Sequence, residues 1–206
     1  VVRNFEEEYG LIRFLHAVPD SDAVDVYIND TLFFKEIRFT QFSPYVYIPK
    51  GKYNMEVYNV DTTENPILRG NIEVENGELA TIAATGNSND LEFVTIKEDK
   101  ERAQRGYSKI RVVHLSPNAP EVNILIDKNM LFKDVEFRDI SDYVEILAGD
   151  YRLDVEAVAS GRILRSNQKT INPDRIYTFY ALGNLPNVQI FQSLDGATFI
   201  APSAVE

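Results

Sequence analysis

Two histidines, His16 and His114, are the side chains of this 206-residue chain best suited to moving a proton near neutral pH. Each stands at the centre of the same short pattern, Arg13-x-x-His16-x-x-Pro19 and Arg111-x-x-His114-x-x-Pro117. A catalytic histidine needs a nucleophile and an orienting partner within reach, and no such set is spaced around either one. There is no Gly-x-Ser-x-Gly elbow, no His-Glu-x-x-His and no Gly-rich phosphate loop. An acidic glycosidase pair stays open in principle, since any two carboxylates can meet in a fold, but no spacing favours one. The default expectation is structural: each ring bonds the proline-containing loop after it, or the strand carrying Asp25 or Asn123. General base and metal ligand are the alternatives. Arg13 and Arg111 lie three residues before their histidines, hence on the opposite face of an extended strand. They are expected at the surface or pairing loops.

Other groups could hold a ligand. Asp20-Ser21-Asp22 with Asp25, and Asn87-Ser88-Asn89-Asp90, are oxygen-rich stretches of the kind calcium uses. The second half has Asn118-Ala119-Pro120-Glu121 in place of the first cluster, and neither stretch fits an EF-hand. No cofactor is therefore expected, with calcium the one candidate. Tyr45, Tyr47, Phe33 and Phe39 could form a sugar platform, but strand aromatics more often pack across strands, and the chain has no Trp. The candidate binding residues are His16, Asp20, Asp22, Asp25, His114, Asn118 and Asn123.

Composition removes whole classes of function. The 32 acidic residues outnumber the 21 basic ones, for a net charge of −11. That balance argues against duplex nucleic acid and against anionic lipid. Without cysteine there is no disulfide framework, thiolate metal site or thiol nucleophile. No apolar run approaches the ~18 residues of a membrane span. The sequence opens at Val1 without an initiator Met and shows no signal-peptide core, as expected of a trimmed or processed chain.

The elements that must position these residues come twice. Ile12-Arg13-Phe14-Leu15-His16 recurs as Ile110-Arg111-Val112-Val113-His114, and the offset of 98 then holds without a gap to Val57 and Val155. Ser43-Pro44-Tyr45-Val46 answers Ser141-Asp142-Tyr143-Val144. Gly51-Lys52-Tyr53 answers Gly149-Asp150-Tyr151, and Ala84-Thr85-Gly86-Asn87 answers Ala181-Leu182-Gly183-Asn184. The division is an acidic arm over 1–9, a first repeat over 10–97, a charged linker over 98–107 and a second repeat over 108–206. The linker is expected to be a solvated connection, the arm a solvated tail or a donated strand.

Within each repeat apolar residues alternate with polar ones, as in Val24-Asp25-Val26-Tyr27-Ile28 and Tyr151-Arg152-Leu153-Asp154-Val155. Turn residues separate about seven such runs, and no helical stripe is sustained. The fold class predicted is all-β: two tandem antiparallel β-sandwiches of immunoglobulin or transthyretin type. Asn76-Gly77 is predicted to close a tight hairpin. Gly51 and Gly149 are predicted to need positive φ. Tyr53 and Tyr151 are predicted to cover a sandwich edge and bond backbone, and Pro19 and Pro117 to end the first strand of each repeat.

Arg-x-x-His-x-x-Pro, then a Val-Asp-Val-Tyr strand, then Gly-x-Tyr, resembles the bacterial domain of unknown function 4397. The resemblance runs once per repeat. The first repeat departs from the usual Ser-Pro-x-Ala-Pro with Val18-Pro19-Asp20-Ser21-Asp22, and the second carries Asn123 in place of Asp. The resemblance implies a β-sandwich module, often in tandem, in surface or secreted bacterial proteins, and no known catalysis. The expectation is a non-enzymatic structural, adhesive or self-assembling protein of the cell envelope or spore surface, or a secreted one. Its partners would be proteins or further copies of itself. The alternatives are a glycan- or peptide-binding module using the loops after His16 and His114, and a hydrolase using either histidine.

Overall fold

A computed structural model describes residues 8–198. The arm expected over 1–9 therefore falls mostly outside the described residues, as does the stretch after 198. The first repeat holds β1 (Tyr9–Ala17), β2 (Val24–Ile28), β3 (Thr31–Ile37), β4 (Val46–Pro49), β5 (Gly51–Asn59), β6 (Leu68–Val74), β7 (Leu79–Thr85) and β8 (Glu92–Lys97). The second holds β9 (Tyr107–His114), β10 (Val122–Ile126), β11 (Asn129–Val135), β12 (Val144–Leu147), β13 (Gly149–Ala157), β14 (Ile163–Ile171), β15 (Ile176–Leu182) and β16 (Gln189–Leu194). Each repeat thus has eight strands, one more than the sequence pattern suggests. Among the described residues no helix is long and apolar enough to cross a membrane.

Each repeat is a sandwich of two four-stranded sheets. The first stacks β4-β1-β7-β8 on β3-β2-β5-β6, and the second stacks β12-β9-β15-β16 on β11-β10-β13-β14. All pairings are antiparallel except β1 with β7 and β9 with β15, so one sheet of each sandwich is mixed. The cores follow from alternation. Ile12 and Phe14 of β1 meet Val24 and Val26 of β2, Met55 and Val57 of β5, and Ile82 of β7. Ile110, Val112, Val122, Ile124, Leu153, Val155 and Phe179 do the same in the second repeat. Removing a side chain such as Phe14 from water contributes about 1.5–3 kcal/mol.

β7 and β15 break the alternation: every residue in both is buried. Such strands are apolar on both faces because both faces are covered. The second covering layer is the other repeat. Leu15, Ala17, Ala83 and Ile96 of the first repeat pack with Val113, Leu115, Tyr180 and Leu182 of the second. The two sandwiches are stacked through this face into four sheet layers.

Two turn predictions are corrected. Asn76-Gly77 does not close a hairpin: β6 pairs with β5 and β7 with β1, so the turn carries the chain from one sheet to the other. Its left-handed residue is Gly77 at φ 66°. Gly51 and Gly149 are not among the residues with positive φ. Glycine is used there for space. A Cβ on Gly51 would meet the Tyr53 ring at 3.4 Å, and one on Gly149 the Tyr151 ring at 3.4 Å. Each tyrosine lies across the bare backbone, and its hydroxyl donates to a carbonyl four residues back: Tyr53 to Pro49 at 2.6 Å and Tyr151 to Leu147 at 2.9 Å.

Candidate functional site

His16 is the last but one residue of β1, on the face that turns into the sandwich, in line with Ile12 and Phe14, and is buried. Its Nδ1 accepts the Val18 N–H at 3.4 Å. A backbone N–H can only donate, so the proton sits on Nε2, which lies 3.1 Å from the Asp22 carbonyl and 3.0 Å from Ser21 Oγ. Ser21 in turn donates to the Val18 carbonyl at 3.0 Å. His114 repeats the arrangement, Nδ1 accepting from Ser116 N–H at 3.2 Å and Nε2 facing the Pro120 carbonyl at 3.2 Å. Phe39 and Phe137 each stand edge-on to their histidine at 6.3 Å. Burial pushes both imidazoles below their ordinary pKa, against the pull of the Asp22 and Pro120 carbonyls. These rings are neutral brackets that hold the loops carrying Pro19 and Pro117. Neither has a free basic nitrogen.

The remaining candidate binding residues do not converge on one point. Asp25 is buried and turns inward, its Oδ1 accepting from Glu36 N–H at 2.8 Å and its Oδ2 from Asp61 N–H at 3.5 Å. Asn123, its counterpart, accepts only from Asp134 N–H at 3.1 Å and donates to Glu156 at 3.2 Å. The exchange of Asp for Asn follows the number of donors to be met. Asp20 is exposed and accepts from Asn184 Nδ2 at 2.8 Å, while Asn118 accepts from Leu185 N–H at 2.9 Å. The Gly183–Asn187 turn therefore sits between the two histidine-bracketed loops and joins them at one end of the stacked pair. Asp22 is exposed beside them. Among the described residues no group of three or more His, Cys, Asp or Glu is placed to hold a metal ion. Asp25 spends its oxygens on backbone N–H groups, which separates it from Asp20 and Asp22 as a calcium ligand.

The loop end of the first repeat carries two adjoining hollows. One, of about 540 Å³, is lined by Asn59 and the stretch from Asp61 to Asn65. The other, of about 380 Å³, is lined by Asp22, Ala23, Glu36, Arg38, Asn59 and Val60. Asp25 ties Glu36, on the wall of one hollow, to Asp61, on the wall of the other.

A second polar assembly escaped the sequence reading. Arg13 and Arg111, expected at the surface, are only 5% and 3% exposed. They lie between the two sandwiches, on the face of β1 and β9 that also carries Leu15 and Val113. Arg13 Nε donates to Thr81 at 2.7 Å, and its Nη2 stands 3.5 Å from Glu98. Arg111 Nε donates to Thr178 at 2.9 Å, and its Nη2 stands 3.7 Å from Asp195. Tyr45 donates to Glu98 at 2.7 Å and Tyr143 to Asp195. Glu98, the first residue of the stretch read as a solvated linker, is buried for this reason. The signal was present in the repeat itself, where Arg13 and Arg111, Tyr45 and Tyr143, and Thr81 and Thr178 recur in pairs. Contacts cross between repeats: Gly196 N–H donates to Glu98 at 2.6 Å, and Arg111 Nη1 to the Lys97 carbonyl at 2.6 Å. Burial, and then the Glu98 charge, push Asp195 up to about 6. Burial, and then the facing carboxylates, push the Tyr45 and Tyr143 hydroxyls far up.

The model of one family, described as "Domain of unknown function (DUF4397)", matches residues 10–125 and 108–201. No curated protein matches the chain. A solved structure described as "Alpha-glucan binding by a streptococcal virulence factor" aligns with 93% of this chain and 99% of that one, at 10% identity and a TM-score of 0.29. That likeness is too low to carry an argument.

Proposed function

The chain belongs to the DUF4397 family, with the domain present twice, and from that premise we propose a non-enzymatic, rigid two-domain module of a bacterial cell or spore surface. Its work is structural: it spaces, presents or assembles. The observation that carries this reading is the state of the two histidines. Imidazoles have the chemistry for acid–base work at neutral pH, and both of these are buried, neutral and committed on both ring nitrogens. The stacking of the sandwiches through a buried face supports it, because a spacer transmits force only if its domains do not hinge freely.

The test compares His16→Gln and His114→Gln with the parent chain. Glutamine keeps a donor at the Nε2 position and loses the Nδ1 acceptor, which strands one backbone N–H. The expected outcome is a melting temperature lowered by several degrees and unchanged surface attachment. A hydrolase would lose turnover at an unchanged melting temperature, and that result would overturn the proposal. Immunogold labelling of cells and spores tests location, and a strictly cytosolic monomer would remove the surface role.

The adjoining hollows of the first repeat favour a second reading, a binding module for glycan or peptide at that loop end. Its polar walls of carboxylate, amide and hydroxyl groups suit ligands that hydrogen-bond at many points. Asp22→Ala with Asn59→Ala would then abolish binding on a glycan or peptide array, and silence of the parent chain on both arrays would sink this reading.

A further inference from the structure

The face between the repeats is apolar along most of its length and ends in four buried charges. Arg13 and Glu98 come from the first repeat, and Arg111 and Asp195 from the second. The two carboxylates are not equally served. Glu98 accepts from Tyr45, from Thr81 at 2.6 Å and from the Gly196 N–H, and Arg13 lies within hydrogen-bond reach. Asp195 accepts only hydroxyls, those of Tyr143 and of Thr178 at 2.8 Å. Arg111 has turned its Nη1 to the Lys97 carbonyl, and its Nη2, facing Asp195, makes no hydrogen bond. A hydroxyl can rotate to accept, whereas an N–H cannot. Tyr143 itself accepts the Asp99 N–H at 3.4 Å and Thr178 the Arg111 Nε–H, so no N–H depends on the Asp195 side chain, and Asp195 is the carboxylate of the pair that can take up a proton without stranding an N–H donor.

We propose that this cluster is a proton-operated clasp between the repeats, closed most firmly when Asp195 is protonated and loosened when Asp195 and Glu98 are both charged across the sealed face. The groups facing Asp195 are Glu98 at the end of β8, Arg111 from β9, Thr178 and Tyr180 from β15, and Tyr143 ahead of β12. Arg13 from β1 and Tyr45 ahead of β4 lie behind Glu98. Of these, Asp195 is the group whose proton the clasp turns on. Asp195 is raised from 3.8 to about 6 in the closed form. Between those values the closed form holds a proton that the opened form releases, so the added hold is complete below the lower value and lost as pH rises through the upper one. His16 and His114 act in the opposite sense, but they point into the sandwich cores and bracket loops beyond the clasp.

The absence of cysteine supplies the probe. Ala83 is fully buried in the face, so Ala83→Cys reacts with dithiodipyridine only when the repeats part. Rates are normalised to the same thiol in urea at each pH, in the full chain and again in a His16→Gln, His114→Gln background. The expected result is an opening constant that rises by up to about tenfold per pH unit between about 4 and 6 and is flat above. Asp195→Asn should abolish the slope. Glu98→Gln should move its midpoint to lower pH, because the neighbouring charge is gone. A flat parent profile, a slope that survives Asp195→Asn, or a midpoint unmoved by Glu98→Gln would each overturn the clasp. The last arm decides the matter if Asp195→Asn does not fold.

Discussion

At the scale of single residues, side chains of this chain serve mostly to satisfy backbone groups. His16 and His114 do so as neutral rings, which fixes the sign of their pH dependence. Both are depressed from the ordinary 6.5 by burial. In acid the unfolded chain takes up protons that the folded one refuses, so their contribution to stability is present above about pH 6.5 and declines as pH falls through it. Melting curves should shift downward on acidification below that point, and the double Gln variant should lose that share of the shift. Each Gln substitution should cost about 1–3 kcal/mol at neutral pH, the penalty for one buried N–H left without a partner. Asp25 and Asn123 make a reciprocal pair. Asp25→Asn removes an acceptor from Asp61 N–H and should cost about 1 kcal/mol. Asn123→Asp should destabilise too, by setting a carboxylate against Glu156. Chemical denaturation of the two variants measures both.

At the scale of elements, the turns decide which strands can meet. Gly86 has φ 116° and lies against the β7–β8 connection, where a Cβ would come 1.9 Å from the Asp90 carbonyl. Gly86→Ala is expected to be among the most damaging single changes, above about 3 kcal/mol, read as a large drop in denaturation midpoint. Gly77 faces only the far end of Lys100, so Gly77→Ala should cost about 1 kcal/mol for its φ alone. The tyrosines that cross Gly51 and Gly149 are exposed at their hydroxyls. Tyr53→Phe and Tyr151→Phe should therefore each lower stability by only about 0.5–1.5 kcal/mol.

At the scale of the whole molecule, the buried face between repeats is expected to make the two sandwiches unfold as one cooperative body. The parent chain should melt in a single calorimetric transition whose van't Hoff and calorimetric enthalpies agree. Placing a charge in the apolar part of the face, as in Leu15→Asp with Val113→Asp, should split it into two. Tyr180→Ala should lower the transition by the ~3–5 kcal/mol typical of a large core truncation, because its ring packs on Phe42 of the other repeat at 5.3 Å. A single transition that survives the double charge would show that the repeats are not energetically joined through this face.

The sequence by itself determined the duplication, the β class, the faces that form each core and the places where turns break the runs. Those features are local: side chains alternate with period two along a strand, and glycine and proline act on their own backbone. It also placed the histidines at strand ends beside the loops they bond, since those partners lie within six residues. Only the tertiary structure decided that β1, β7, β9 and β15 are covered on both faces. A charged residue in an alternating pattern is read as solvated because burying it alone costs so much. Arg13, Glu98, Arg111 and Asp195 escape that cost only by meeting one another from positions as far apart as residues 13 and 195. That meeting is set by how two whole sheets stack, and no stretch of sequence contains it.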